Sequence, residues 1–169
     1  MIAIVAVDKN WGIGHNGGML FRLPADLKRF RAITLNGAVV MGRRTLESFP
    51  GGKPLGERVN IVLSRTLLRD DVVVVRNDDE LFREVARYAD DKVFLIGGGE
   101  VYNRYIDYCS EAFVTFADAV GQASVFFPDL DKRPGWKRAE DTGKENTNGI
   151  DVVHARYINE NVRSFGRKE

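Results

Sequence analysis

The sequence predicts an α/β fold in a single domain, with a mostly parallel central sheet, flanking helices and an antiparallel C-terminal edge strand. Unbroken apolar runs recur at residues 2–7, 38–41 and 93–96, and such runs are typical of strands that are buried on both faces. Helical patterns lie between these runs, as in a sheet covered by helices. Half-exposed strand patterns come only near the end, at residues 136–140 and 152–158, and they predict the antiparallel edge.

The first half of the chain predicts strands and helices in alternation. After the first strand comes a long loop, residues 8–21, with four glycines, and loops of this length are usually functional or mobile. A helix begins with Pro24 in its first turn and ends at an Asn-Gly pair. The strand at residues 38–41 then leads into a short helix over residues 43–49.

The second half repeats this alternation before the pattern changes. Asp78 or Asp79 is expected to cap a helix over residues 78–88. The last residues, 159–169, are charged and are expected to form a frayed tail after a domain that covers residues 1–158. The other predicted elements are strands at residues 59–64, 72–75 and 112–117, a helix at residues 100–106 opened by three glycines, and a polar connection at residues 141–149.

The composition is that of one globular domain. The 169 residues are 44% hydrophobic and 29% charged, which provides for a sizeable core and excludes wholesale disorder. The 25 Lys and Arg residues nearly balance the 24 Asp and Glu residues, so no general basic surface for nucleic acid is expected. The longest apolar runs are too short to cross a membrane, and the N-terminus lacks the features of a signal peptide.

Cysteine and histidine usage fits a reducing compartment. Cys109 is the single cysteine, so it cannot form an internal disulfide. His15 and His154 are far apart in sequence and have no ligand-like neighbours, so both are interpreted as structural and no metal site is expected. We therefore expect a cytoplasmic protein with neither nucleic acid nor a membrane as partner.

Asp26 is the first candidate for chemistry. It lies in the first turn of a helix, near Leu27 and Phe30 by spacing and near Met19 and Phe21 across the preceding loop. A carboxyl in such an apolar cleft has its pKa raised toward the range useful for proton donation. An acid in a first helical turn also commonly does no more than complement the helix dipole, and the spacing alone favours that role.

Groups suited to phosphate follow three of the predicted strands. Residues 97–99 are three glycines that open a helix, a context that suits phosphate binding and a tight turn about equally. They do not form the dinucleotide fingerprint, because Tyr102 occupies the position of its last glycine. Arginine and hydroxyl side chains follow the other two strands, at residues 43–45 and 64–65. Because the carboxyl ends of parallel strands meet at one edge, these groups together indicate an anion-binding site.

Three motifs in this order give the sequence a specific resemblance. They are LPADL with a following Phe at residues 23–30, MGR-x-T at residues 41–45 and IGGG-x-x-Y at residues 96–102. With them the chain resembles dihydrofolate reductase over residues 1–158. The resemblance implies an enzyme that uses NADPH to transfer a hydride to C6 of dihydrofolate, with protonation at N5, giving tetrahydrofolate. It also implies a monomer that binds antifolate inhibitors.

The resemblance implies a role for each residue of the substrate site. Asp26 would bind the pterin ring and assist its protonation through water, and Thr115 would support the Asp26 carboxylate. Phe21 stands where the family usually has a tryptophan that helps to hold this water. Arg58, which by position alone is a solvent-facing residue at a strand start, would pair with the glutamate carboxylate. The remaining substrate-binding residues would be Ile4, Ala6, Leu27, Phe30, Leu55 and Ile96.

The resemblance also assigns the NADPH site and implies a cis peptide bond between Gly97 and Gly98. Arg44, Arg65 and Arg76 would favour the 2′-phosphate of NADPH over the free ribose of NADH. The full set of cofactor-binding residues would be Ala6, Ile13, Gly14, Met19, Gly42, Arg43, Arg44, Thr45, Leu63, Ser64, Arg65, Arg76, Ile96, Gly97, Gly98, Gly99, Glu100, Val101 and Tyr102.

The chain departs from the family pattern in two loops. Phe21 has no hydrogen-bond donor, which leaves the arrangement of the water near Asp26 open. Leu20 replaces a frequent proline. Residues 122–124, Gln-Ala-Ser, replace the Glu-Gly-Asp that bacterial relatives often have. In the family, hydrogen bonds between these loops set the closed and occluded states, and the sequence does not show which of these bonds this chain forms.

Two other functions stay open at this point. A pyrimidine reductase of riboflavin synthesis shares the fold and NADPH, but it needs neither Asp26 beside Phe30 nor an arginine at position 58. A non-catalytic protein that kept a cofactor pocket would not need Asp26, Thr115 and Arg58 together.

Overall fold

The apolar runs of the sequence form the interior strands of one sheet. A computed structural model describes residues 1–165 of the chain. Its elements, in chain order, are β1 (Ile2–Val7), β2 (Gly12–His15), β3 (Gly18–Met19), α1 (Pro24–Thr34), β4 (Ala38–Gly42), α2 (Arg43–Ser48), β5 (Val59–Leu63), β6 (Val73–Val75), α3 (Asp78–Val85), β7 (Val93–Gly97), α4 (Gly99–Tyr105), β8 (Glu111–Ala117), β9 (Val125–Phe126), β10 (Trp136–Thr147) and β11 (Ile150–Asn159), with short 3-10 turns at Pro50–Gly52, Asp90–Lys92 and Ile106–Tyr108.

The main sheet has eight strands in the order β10-β11-β8-β1-β7-β4-β5-β6. The strands from β8 to β6 pair in parallel, whereas β11 pairs antiparallel with both β8 and β10. This confirms the predicted fold class, a mostly parallel sheet with an antiparallel C-terminal edge. Because β8, β1, β7, β4 and β5 run in one direction, their carboxyl ends meet at a single edge.

Strand β1 shows why the sheet is covered on both faces. Its alternate residues Ala3, Val5 and Val7 belong to one buried cluster, and Ile2 and Ile4 belong to another on the opposite face. A side chain on either face is removed from water, so the strand sequence contains no polar positions. The unbroken apolar run is the direct consequence.

The long loop at residues 8–21 contains more structure than the sequence predicts. Strands β2 and β3 form a small hairpin there, and β9 pairs with β2 to complete a second sheet of three strands. The buried Asp8 carboxylate holds the start of this loop, because it accepts hydrogen bonds from the backbone N–H groups of Gly12 and, across the chain, Gly121. The loop is therefore tied to the segment between β8 and β9.

The polar stretch at residues 141–149 is mostly strand, which corrects the prediction of a connection. Strands β10 and β11 pair along their whole length and turn at Asn148 and Gly149, both with positive φ. An Asn-Gly pair is a strong signal for such a two-residue turn. The polarity of β10 reflects its place at the edge of the sheet, where charged side chains face water and protect the unpaired edge.

The cap of α3 also differs from the prediction. Asn77, not Asp78 or Asp79, is the N-cap, and its side-chain oxygen accepts a hydrogen bond of 2.9 Å from the backbone N–H of Glu80. The Asp78 carboxylate instead accepts a hydrogen bond from the hydroxyl of Tyr105. The helix therefore begins at Asp78, with Asn77 just outside it.

The residues after 158 are not frayed as far as the structure describes them. Asn159 is buried and donates hydrogen bonds to the backbone carbonyls of Asp107 and Cys109. Phe165 packs against the rings of Phe82 and Tyr108. The prediction of a frayed tail is thus wrong for residues 159–165, and its remainder, residues 166–169, lies outside the described residues. Within residues 1–165, no helix is both long and apolar enough to cross a membrane.

Candidate active site

The turn between β10 and β11 positions the start of α1. Leu23 precedes this helix and offers no side-chain cap, so the first N–H groups of the helix need another partner. Thr147 supplies it, because its Oγ1 accepts a hydrogen bond of 3.1 Å from the backbone N–H of Ala25. Asn148 donates to the carbonyl of Arg22, 3.3 Å away. These two contacts fix the first turn of α1, and with it Asp26, against the edge of the sheet.

The Asp26 carboxyl is largely removed from water, with 17% of its side chain exposed. Its Oδ1 atom accepts a hydrogen bond of 2.6 Å from the Thr115 hydroxyl on β8. Burial raises the pKa of Asp26 above its usual value, and the hydrogen bond from Thr115 together with the His154 and Arg29 side chains partly offsets this. The structure thus brings Asp26 and Thr115 together, and the environment moves the carboxyl toward proton uptake.

His154 completes this polar group, and the sequence analysis missed it. Strand β11 pairs with β8 in a register that sets His154 opposite Thr115, and its Nδ1 atom lies 2.8 Å from the Thr115 hydroxyl. The ring is buried, and Nδ1 is 3.8 Å from the Asp26 carboxylate. The interpretation of His154 as merely structural needs this correction. A polar residue at an inward position of a C-terminal strand was the only available signal, since its partner is 39 residues away.

Several of the predicted apolar site residues pack into two separate clusters. Phe21 and Ala6 pack in a small cluster around the buried Leu23 and Ala117, and the phenyl ring brings no hydrogen-bond donor to it. Leu27 and Met19 are exposed, at 40% and 66%. The other predicted substrate residues, Ile4, Phe30, Leu55 and Ile96, belong to the second cluster.

Arg58 is held by groups around the start of β5. Its Nε atom donates to the carbonyl of Gly56 at 2.8 Å, and its Nη1 atom donates to the hydroxyl of Thr34 at 3.2 Å. The buried Asn60 fixes the same loop through hydrogen bonds with the backbone of Leu55 and Arg58. Partial burial and the neighbouring Arg31 lower the pKa of Arg58, and the nearby Glu57 carboxylate offsets this only in part.

The glycines after β7 pack closely against neighbouring elements. The Gly97–Gly98 peptide bond is cis, as the resemblance implies. A Cβ atom at Gly97 would lie 3.1 Å from the Tyr102 ring, and one at Gly99 would lie 2.5 Å from the Val125 side chain. No side chain caps the N-terminus of α4. The Tyr102 hydroxyl points inward and donates to the carbonyl of Ile4 at 2.7 Å.

Residues at the ends of β4 and β5 approach these glycines. A Cβ at Gly98 would lie 3.4 Å from the Thr45 hydroxyl, and one at Gly42 would lie 3.2 Å from Val101. Leu63 and Ser64 end β5 beside Gly42, which pairs with Leu63. The structure therefore gathers most of the predicted cofactor residues at one edge.

The predicted cofactor arginines divide into two groups. Arg43 forms an ion pair of 2.9 Å with Glu47 on α2, and Arg76 donates to the carbonyls of Ser64 and Leu67 at 2.8 and 2.7 Å. Both guanidinium groups are therefore already bound to groups within the protein. Arg44 and Arg65 are exposed at the same sheet edge, and Glu100 is exposed at the start of α4.

The loops on either side of the site are joined through backbone atoms. The N–H of Ser124 donates to the carbonyl of Gly14 at 2.9 Å, and the N–H of Lys9 donates to the carbonyl of Ala119 at 3.1 Å. These contacts hold β2, which carries Ile13 and Gly14, beside the segment that contains Gln122. Contact between the loops therefore does not need the acidic side chains that bacterial relatives often have in residues 122–124. In the part of the chain that the structure describes, no group of three or more His, Cys, Asp or Glu side chains is placed to hold a metal ion.

Comparison with known proteins gives one consistent result. A family model described as dihydrofolate reductase matches residues 1–159. The chain is 39% identical over 127 residues to a dihydrofolate reductase of Haemophilus influenzae, which covers 75% of this chain and 78% of the relative. It is 36% identical over 144 residues to a dihydrofolate reductase of Schistosoma mansoni, which covers 76% of this chain and 77% of the relative. A dihydrofolate reductase of Buchnera aphidicola is 31% identical over 134 residues, 79% of this chain and 82% of the relative.

Proposed function

The chain belongs to the dihydrofolate reductase family, and from this premise we propose which of its residues carry each part of the reaction. It is an oxidoreductase that reduces dihydrofolate to tetrahydrofolate with NADPH as cofactor. This family match favours that reaction over the two alternatives that the sequence alone left open. The reaction needs a hydride at C6 and a proton at N5 of the pterin ring.

We assign delivery of the proton to Asp26, assisted by Thr115. The single observation that carries this assignment is the hydrogen-bonded, largely buried Asp26 carboxyl, whose pKa burial raises. A carboxyl in this state takes up a proton more readily than one in water, and it can accept hydrogen bonds from the amidine edge of a pterin. Ile4, Phe30, Leu55 and Ile96 would pack against the flat ring.

The residues at the glycine-rich edge fit NADPH. The absence of side chains at Gly97, Gly98 and Gly99 lets neighbouring groups approach the backbone closely, since side chains there would meet Tyr102, Thr45 and Val125. When bound, NADPH supplies the hydride. We propose that Thr45 and the glycine backbone hold its diphosphate and that Arg44 and Arg65 bind its 2′-phosphate. Arg76 would contribute by fixing the loop after β5 through its two backbone contacts.

Arg58 is proposed to bind the α-carboxylate of the substrate glutamate. Its Nε and Nη1 atoms are already used within the protein, which orients the guanidinium group, and no residue among 1–165 accepts a hydrogen bond from its Nη2 atom. Arg31 is already paired with Glu57 at 2.7 Å, so a substrate carboxylate would balance the charge of Arg58 itself. A pterin without a glutamate would not gain this contact.

We also propose the finer points of partner and place. Antifolates would bind the same pocket, since a basic heterocycle pairs with the Asp26 carboxylate. The enzyme would act as a monomer in the cytoplasm, where the buried thiol of Cys109 stays reduced. Sedimentation equilibrium at the mass of one chain, 19.0 kDa, would support the monomer, and a concentration-dependent dimer would contradict it.

Asp26→Asn is expected to keep the fold and lose turnover. The amide has the shape of the carboxyl and can still accept a hydrogen bond from Thr115, but it cannot carry the proton. Loss of one general acid typically costs about 10²–10⁴-fold in rate. Single-turnover hydride transfer to dihydrofolate, followed by the loss of NADPH absorbance, measures this. Near-wild-type transfer at neutral pH would remove Asp26 from the mechanism.

Arg58→Leu is expected to weaken the binding of dihydrofolate and to leave the binding of 7,8-dihydropterin nearly unchanged. Loss of one partner of a charge pair costs about 2 kcal/mol when the pair is partly exposed, or about thirtyfold in Kd. Equilibrium titration of both ligands against wild type and variant gives the comparison. An equal loss for both ligands would show that Arg58 does not bind the glutamate.

The double variant Arg44→Ala/Arg65→Ala is expected to lose most of the preference for NADPH over NADH. Hydrogen bonds to a charged group contribute about 1.5–3 kcal/mol each, so two arginines favour NADPH by roughly a hundredfold, and less at high salt because the edge is exposed. The ratio of kcat/KM for the two cofactors is the measurement. Arg83→Ala/Arg87→Ala, at the end of α3 and just after it, removes the same charge elsewhere and should leave the ratio unchanged. A preserved ratio in the first double variant would contradict the assignment.

A further inference from the structure

The Thr115 hydroxyl lies between two polar groups and has one proton to share. Its Oγ1 atom is 2.6 Å from the Asp26 carboxylate and 2.8 Å from Nδ1 of His154. An ionised carboxylate can only accept, so the Thr115 proton must point to Asp26. The contact with His154 is then a hydrogen bond only if Nδ1 carries a hydrogen and donates it. The ionised state of Asp26 therefore fixes the imidazole tautomer.

The other ring nitrogen of His154 has been left without a partner. Within residues 1–165, the buried Nε2 atom forms no hydrogen bond, and the nearest acid is Glu145 on β10, whose Oε2 atom is 3.8 Å away. The charged groups that face the ring are Asp26 and Arg29 on α1 and Glu145 on β10, whereas β8 contributes the neutral Thr115. Burial and Arg29 lower the pKa of His154 more than the two acids raise it, which favours the neutral form of the ring.

We propose that His154 is a positioning residue for the proton donor Asp26, and that its imidazole tautomer sets the direction of the hydrogen bond between Thr115 and Asp26. This rests on the proposed role of Asp26 in the reaction. His154 touches neither substrate nor cofactor in this account, and it acts only through the Thr115 hydroxyl. The residue that this proposal concerns is the one histidine of β11, the strand that pairs with β8.

Asp26, Thr115 and Nδ1 of His154 can form two hydrogen-bonded states, which differ in the direction of the hydrogen bonds. With Asp26 ionised, Nδ1–H of His154 donates to Thr115 and Thr115 donates to Asp26. With Asp26 protonated, Asp26 donates to Thr115, Thr115 donates to Nδ1, and Nε2 carries the ring hydrogen beside Glu145. The second state holds one proton more than the first. It is reached when Nε2 gains a proton from water, Nδ1 passes its proton to Thr115, and Thr115 passes its own to Asp26.

The donor at position 154 should favour the ionised form of Asp26. A hydrogen bond from Nδ1 polarises the Thr115 hydroxyl, which strengthens its bond to the carboxylate. Removal of the imidazole weakens that bond and removes a polar group from beside the carboxylate. The imidazole supports the protonated state as well, but hydrogen bonds that serve an ionised group are stronger than those between neutral groups, so its loss destabilises the ionised carboxylate more and raises the pKa of Asp26. The rate of hydride transfer, which needs the protonated acid, should therefore persist to higher pH.

The tautomer can be measured directly, because His15 and His154 are the only histidines of the chain. Long-range ¹H–¹⁵N correlation spectra of the wild-type protein distinguish Nδ1–H from Nε2–H, with the exposed His15 as the reference signal. The proposal expects Nδ1–H at neutral pH and a change toward protonated Nε2 as Asp26 takes up its proton. An Nε2–H tautomer at neutral pH would overturn it.

Two variants test the link to Asp26. His154→Leu fills the space without a donor, and His154→Asn places an amide N–H the same number of bonds from Cα as Nδ1. The titration midpoint of the Asp26 carboxyl, followed by ¹³C NMR and assigned with Asp26→Asn, should rise by about half a unit to one unit in His154→Leu and stay near wild type in His154→Asn. No rise in His154→Leu, or an equal rise in both variants, would overturn the proposal.

These readings separate the inference from the proposed function. The NMR midpoints need no turnover, so they stand even if Asp26 proves to have no part in the reaction. Conversely, Asp26→Asn can abolish hydride transfer while both His154 variants leave the Asp26 midpoint unchanged. That outcome would support the function of Asp26 and overturn the role of His154.

Discussion

The site depends on one hydrogen bond, the 2.6 Å contact between the Thr115 hydroxyl and the Asp26 carboxylate. It joins the first turn of α1 to the middle of the sheet across 89 residues of sequence. For it to form, β8 must lie beside β1, and α1 must begin at the edge of the sheet. The hairpin of β10 and β11 secures the second condition, because Thr147 at its turn caps α1 while His154 within it backs Thr115. The C-terminal hairpin of β10 and β11 thus positions both the Asp26 carboxylate and the Thr115 hydroxyl.

Burial of the Asp26 carboxyl lowers the stability of the fold and at the same time raises the pKa of this group. A carboxylate that is 17% exposed loses most of its hydration, and one hydroxyl with a nearby ring only partly replaces it. Because the folded-state pKa of Asp26 is raised, its ionised form destabilises the fold as pH rises through that pKa. The same burial makes proton uptake by Asp26 easier, which is the property that its proposed role requires.

Sequence patterns predicted the sheet well, since burial on both faces leaves an unbroken apolar signature that runs along the chain, as in β1, β4 and β7. They failed where the decisive contact is between distant segments. His154 looked isolated because its neighbours Thr115 and Glu145 come from other strands. The Arg76 guanidinium, which the resemblance assigns to the cofactor, also donates to two backbone carbonyls of the preceding loop, and no sequence pattern predicted these contacts. The polar strand β10 looked like a connection, because an edge strand carries few of the apolar residues that mark interior ones.

The central claim is that the Thr115 hydroxyl stabilises the ionised form of a proton-donating Asp26. The most direct test is the pH dependence of single-turnover hydride transfer in Thr115→Val, with Thr115→Ser as the control that keeps the hydroxyl. Without the hydrogen bond the pKa of Asp26 rises further, so the protonated acid persists and the midpoint of the rate profile moves to higher pH, by about half a unit or more. The serine variant should keep the wild-type midpoint. A valine variant whose midpoint equals that of wild type would contradict the account.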